Sequence, residues 1–225
     1  MRASLAAMPG DRHPEAPRLS NAHPRHALDG PLRGGDSFAE VELAGVACAG
    51  RRVDGVECAD VVLREPDLSG AELRDCVFRD AVFENPNLAT TTFRGGALTR
   101  VVVEGGRLTG LRLAETELRD CLWRGGGADM AAFRHARLAH VTFEGCSLRE
   151  ADFSGMRGEH VRFHDCDLRG ASFSHAELAS SELRRCKMDD IEGVEGLRGT
   201  SMQLDELLTL TPAFARALGV GLLPD

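Results

Sequence analysis

Seven cysteines, a pair of histidines and a stack of carboxylates are the side chains of this sequence with chemical potential, and each set reads differently. The cysteines are Cys48, Cys58, Cys76, Cys121, Cys146, Cys166 and Cys186. None forms a CxxC or the paired Cys/His spacing of a zinc site. The last three are 20 residues apart, which would bring stacked thiols within disulfide reach. Parallel stacked side chains point the same way, however, so the expectation is free, buried thiols behaving as small hydrophobes in a reducing cytoplasm. His140 and His160 share the 20-residue spacing and could line up with Asp120 as metal ligands on an open edge; solvated polar side chains are the simpler reading. Glu40, Asp60 and Asp80 are likewise 20 apart, with Glu57, Glu117, Asp120 and Glu177 on or beside the same face. Stacked like charges cost stability, which makes this acidic edge the candidate partner-binding surface, although Arg79, Arg100 and Arg119 interrupt it. The chain contains no nucleophile elbow, phosphate-binding loop or paired buried carboxylates. No catalytic residue, cofactor or metal is expected.

What must position these groups is one five-residue frame that holds from Phe38 to Met188. Of its 31 positions, 14 are Leu and 9 are Phe, and none is charged. Two residues earlier runs a frame of small residues, 19 of 31 being Ala, Val or Cys. Neither the 3.6-residue period of a helix nor the 2-residue period of a strand fits. With the large residue called i, positions i−2, i−1 and i read in, out, in, and i+1 and i+2 both read out. Alternation therefore breaks once per repeat, and a chain that bends at fixed intervals winds into a coil. Of the 45 charged residues between 36 and 188, only Asp36 and Arg51 fall on the inward frames. Phe133, Phe153 and Phe173, the cysteine spacing, and EPDL at 65–68 recurring as NPNL at 85–88 all set the coil at 20 residues, or four repeats. Nearly eight coils at about 4.8 Å give a rod of roughly 35–40 Å.

Segments such as ADFSG (151–155), CDLRG (166–170), AELRD (71–75) and PNLAT (86–90) resemble the pentapeptide repeat family. The resemblance implies an all-β solenoid, a right-handed quadrilateral β-helix over 36–195 with i and i−2 inside. Residues 1–35, with five prolines and no periodicity, read as disordered, with a basic tail that contacts a partner as the alternative. Residues 196–225 read as a short helical cap. Thr200 and Gln203 suggest a capping box, Thr211–Pro212 a fresh helix start and Gly219 a stop, giving two short helices or one kinked helix over about 201–218. The stripe Leu204, Leu207, Leu208, Phe214 and Leu218, continued by Leu222 and Leu223, exceeds what one coil end can bury and suggests a homodimer.

The tail LDELLTLTPAFARALGV is similar to the C-terminal ends of the members that protect DNA gyrase from quinolones and other topoisomerase poisons. What that implies is a dimeric, acidic rod that mimics B-DNA and occupies the DNA-binding saddle of gyrase or topoisomerase IV. The alternative is a generic scaffold with another protein partner. A formal net charge of −8 argues against direct nucleic-acid binding, and the lack of an apolar run near 18 residues argues against a membrane span.

Overall fold

The computed structural model describes residues 13–20, 24–27 and 31–221. Every strand pairing from Ser37 to Arg184 is parallel and offset by 20 residues: Phe38 against Cys58, Cys58 against Phe78, Phe143 against Phe163. The chain winds as a quadrilateral β-solenoid of nearly eight coils, four pentapeptides to a coil. In the first four coils the leading pair of faces is one eight-residue strand (Ser37–Ala44, Glu57–Arg64, Val77–Glu84, Ala97–Glu104). From Glu117 onward each becomes two short strands. The remaining faces hold a three-stranded sheet (Arg52–Asp54, Glu72–Arg74, Thr92–Arg94) and ladders of single bridges such as Ala47 to Asp67 to Asn87.

The bend lies at one backbone position. Residue i+2 of each repeat adopts positive φ, with 20 non-glycine residues from Glu40 to Asp190 in the left-handed region. That conformation is unfavourable for most L-residues and least so for Asp, Asn and His, which account for 11 of the 20. Backbone conformation therefore favours the residue types found at Asp60, Asp80, Asp120, His140 and His160 in one column, which also holds Glu40 and Arg100. The turn closes by an i to i+3 hydrogen bond, as in Ala71 N to Leu68 O at 2.9 Å, and the corner amide donates to the next coil, as in Gly70 N to Ala89 O at 2.8 Å.

Inside, every large-frame residue from Leu43 to Met188 is buried, while Phe38 in the first coil is half-covered. Phe133, Phe153 and Phe173 stack with centroids 5.0 Å apart, Phe143 and Phe163 stack at 5.1 Å, and the two columns meet edge to face. Where the frame lapses at Gly158, Leu178, Val161 and Met156 fill the space a side chain would take. The cysteines are free thiols, as expected. They are more than small hydrophobes, though, because those of the i−2 frame donate to carbonyls of the coil below. Cys121 Sγ reaches Leu98 O, Cys146 Sγ reaches Trp123 O and Cys166 Sγ reaches Phe143 O, each at 3.4 Å. Burial pushes the Cys58 and Cys121 thiols up to about 12.

Both ends are covered. At the N-terminal end residues 25–27 pair as a strand with residues 42–44, and Leu32 is buried in the core. These described residues cover the first coil, whose strand edge would otherwise stand unpaired. At the C-terminal end a 3-10 turn (Val194–Leu197) leads to a short strand (Thr200–Ser201), then to α1 (Leu204–Thr209) and α2 (Thr211–Ala217). The capping box stands three residues later than the sequence suggested, on Gln203 and Glu206, while Thr200 Oγ1 donates to Leu197 O. Gly219, with φ of 69°, ends α2, and Val220 N donates to Ala215 O at 2.8 Å.

Candidate partner-binding surfaces

The solenoid's interior is filled by its own side chains, so binding chemistry has to reside outside. Glu40, Asp60, Asp80 and Asp120 do share one corner, in the order Glu40, Asp60, Asp80, Arg100, Asp120, His140, His160 at 20-residue steps. Glu57 and Glu117 stand exposed in a neighbouring row, three residues before the corner, where Glu117 pairs with Arg119 at 3.4 Å.

The edge is not a bare run of negative charge. Arg100 grips Asp80 through both carboxylate oxygens, Nε to Oδ1 at 2.6 Å and Nη2 to Oδ2 at 2.7 Å. Backbone amides of the N-terminal segment reach the same column: Ser20 N to Asp60 Oδ1 at 3.0 Å, Arg18 N to Asp80 Oδ1 at 2.9 Å and Glu15 N to Asp120 Oδ1 at 3.4 Å. On the adjoining face the signs are also mixed along the rod. Arg64 lies between Glu42 and Glu84, and Arg124 lies between Glu104 and Glu144. His140 and His160 stack face to face at 4.8 Å with 14° between planes. Their rings are layered instead of converging on a point, and among the described residues no group of three or more His, Cys, Asp or Glu is placed to hold a metal ion.

The Arg100 guanidinium, helped by the Arg18 amide, holds the Asp80 carboxyl below the usual carboxylate range despite partial burial. A depressed carboxylate stabilises the fold fully above its unfolded value of about 4 and loses that contribution as pH falls through the lower folded value. Melting temperature is therefore expected to drop between pH 5 and pH 2, and Asp80→Asn should flatten part of that drop. An unchanged pH profile in the variant would remove Asp80 from the account.

At the C-terminal cap, Leu204, Leu207, Leu208 and Leu218 are 71%, 43%, 62% and 78% exposed. Phe214 departs from that stripe by packing against the core, beside buried Leu210 and Ala213. Leu222 and Leu223 lie outside the described residues. The cap is locked by Glu206, a residue the sequence reading passed over. It is 6% exposed, and its carboxylate accepts from Cys186 N of the last coil at 2.9 Å and from Gln203 N at 2.9 Å.

The model for the pentapeptide repeat region matches residues 80–153, 98–173 and 128–192, and that for eight-copy pentapeptide repeats matches residues 57–95. The chain belongs to the pentapeptide repeat family. Among solved structures it is similar to HetL, a pentapeptide repeat protein involved in heterocyst differentiation regulation in the cyanobacterium Nostoc sp. strain PCC 7120. Identity is 17% over 75% of this chain and 90% of that one, with a TM-score of 0.44. It is also similar to two trypsin-treated variants of QnrB1, a plasmid-mediated fluoroquinolone resistance protein. These are 18% and 17% identical, over 81% and 88% of this chain and 100% and 95% of theirs, both with a TM-score of 0.34. No curated protein sequence matches the chain. No helix among the described residues is long and apolar enough to cross a membrane.

Proposed function

We propose that this chain is a non-enzymatic, cytoplasmic rod that acts by binding a protein partner. The partner in this reading is a type II topoisomerase, DNA gyrase or topoisomerase IV, which the rod shields from a poison by occupying the site of DNA. The observation that carries the reading is the C-terminal cap, whose exposed leucines suit pairing of two rods end to end into one longer body. Support comes from the acidic balance, 25 acidic against 20 basic residues over 36–188 and seven against two over 189–225. That balance opposes binding to nucleic acid itself. Glu40, Glu57 and Glu117 are exposed carboxylates placed to meet a basic saddle, Glu117 while paired with Arg119. A scaffold for another protein is the second reading, favoured by an outward apolar row at Val62, Val82, Val102 and Leu122 that DNA mimicry does not use.

The test is a supercoiling assay in which purified protein is titrated into gyrase with and without a quinolone. Inhibition of supercoiling, or rescue from the drug, is expected at micromolar protein and should be lost in the Glu40→Lys, Glu57→Lys, Glu117→Lys variant. Sedimentation should show a dimer that Leu204→Lys with Leu218→Lys converts to monomer. No effect on either topoisomerase from a folded, dimeric sample would reject the topoisomerase reading and leave the scaffold.

A further inference from the structure

The i−1 positions of the solenoid point outward, and on most faces they are polar. On one face they are Val62, Val82, Val102 and Leu122; the corresponding residues of the next face are Asp67, Asn87, Arg107 and Gly127. Val62 is only 8% exposed despite pointing away from the core, and the three that follow it are half-buried. Low exposure is shared by Thr142 and Arg162 further along the row, both 6% exposed; what sets these four apart is that they are apolar.

Residues 13–20 run along that side of the rod. Their amides at Ser20, Arg18 and Glu15 are held by Asp60, Asp80 and Asp120, the corner two residues before the apolar row. The spacing matches an extended chain: the three residues from Arg18 to Glu15 cover about 9–10 Å. Asp80 to Asp120 is two coils, also about 9–10 Å. The segment thus crosses the coils along the rod axis, opposite to the direction in which the solenoid is built. Pro14, Pro17 and Leu19, which alternate with the donating residues, are half-buried. Proline presets the extended conformation and has no amide to satisfy, so Pro14 and Pro17 can lie between the donating residues without leaving an N–H unpaired.

We infer that the Asp60–Asp80–Asp120 corner and the Val62–Val82–Val102–Leu122 row form a docking groove for an extended, proline-containing peptide, and that residues 13–20 are its resident ligand, a strap over the acidic edge. The carboxylate ladder receives backbone amides, the apolar row receives the side chains between them, and a partner that uses this edge displaces the strap first.

The test uses the full chain. Trypsin cleavage after Arg18 and hydrogen exchange of residues 13–20 are compared between the native protein and an Asp60→Gly, Asp80→Gly, Asp120→Gly variant. Glycine suits the left-handed corner, so the coils are kept while the carboxylates are removed; exchange of amides near Phe153 and Phe163 checks this. Cleavage and exchange of the strap are expected to speed up about tenfold or more in the variant. Equal rates in the two proteins would overturn the strap. A Leu19→Asp chain, altered only in the strap, supplies a second measurement. A synthetic peptide of residues 12–21 should bind it in trans and fail to bind once the three corner glycines are added. Absence of binding to Leu19→Asp would overturn the groove. Neither readout involves a topoisomerase, so the strap stands or falls separately from the function proposed above.

Discussion

Phe153→Ala is expected to lower the free energy of unfolding by about 3–5 kcal/mol. The ring is fully buried and lies between Phe133 and Phe173, with centroids at 5.0 Å and planes within 12° on both sides. Edge contacts to Phe143 and Phe163 at 6.3 and 5.4 Å tie it to the neighbouring column. Its removal therefore opens a hole in one coil and weakens the interfaces to both adjacent coils. In a solenoid, stability is a sum of coil terms and nearest-neighbour interfaces, so the damage should also loosen cooperativity. Urea denaturation followed by circular dichroism should show a lower midpoint and a shallower transition. A loss below about 1 kcal/mol would mean that the coil closes around the gap, as it does naturally at Gly158.

Gly106→Ala should be at least as disruptive, and its contrast with Gly110→Ala isolates the reason. Both residues have positive φ, 85° and 67°. At Gly110 a Cβ would meet only the Thr90 methyl at 3.5 Å, leaving the conformational cost of about 1–2 kcal/mol. At Gly106 it would overlap the Pro86 carbonyl oxygen and lie 2.7 Å from Pro86 Cδ and 2.8 Å from Pro86 N. Relief requires two coils to separate where Arg107 N donates to Pro86 O at 2.9 Å. A cost of more than about 3 kcal/mol is expected, read from thermal melts of the two variants side by side. Equal costs would show that coil spacing yields far more easily than the packed core suggests.

The interior was legible in the sequence because its period has one physical cause. A corner every fifth residue forces the same two positions inward, and Phe, Leu, Ala and Cys report that directly. The cap was legible in kind but shifted by a turn: Gln203, the actual N-cap, lies outside the Ser, Thr, Asp and Asn set that marks a helix start, whereas Thr200 belongs to it. That Glu206 also reaches Cys186 N could not be read, since it depends on how α1 folds back over the last coil. The acidic corner was visible as a stack, but its residue types answer first to the left-handed backbone, and Arg100 neutralises its centre. The outward apolar row was readable only by separating the i−1 positions face by face at 20-residue intervals. Pooled over the whole rod, Val62, Val82, Val102 and Leu122 disappear among charged neighbours. Composition hid the strap, because prolines that exclude a sheet are compatible with an extended ligand lying across one.

The constant 20-residue register has an evolutionary consequence. Every pairing in the solenoid joins residues one coil apart, so duplicating or deleting a block of 20 codons moves all later residues by one whole step and leaves each facing the partners it had before. Length can then change in increments of about 4.8 Å without redesign of the interior, like a ruler cut at its marks. A shift that is not a multiple of five would move the Phe and Leu frame off its inward positions, and a smaller multiple of five would move every later residue to a different face. The gene can lengthen or shorten its rod to suit a partner while the two end caps travel unchanged.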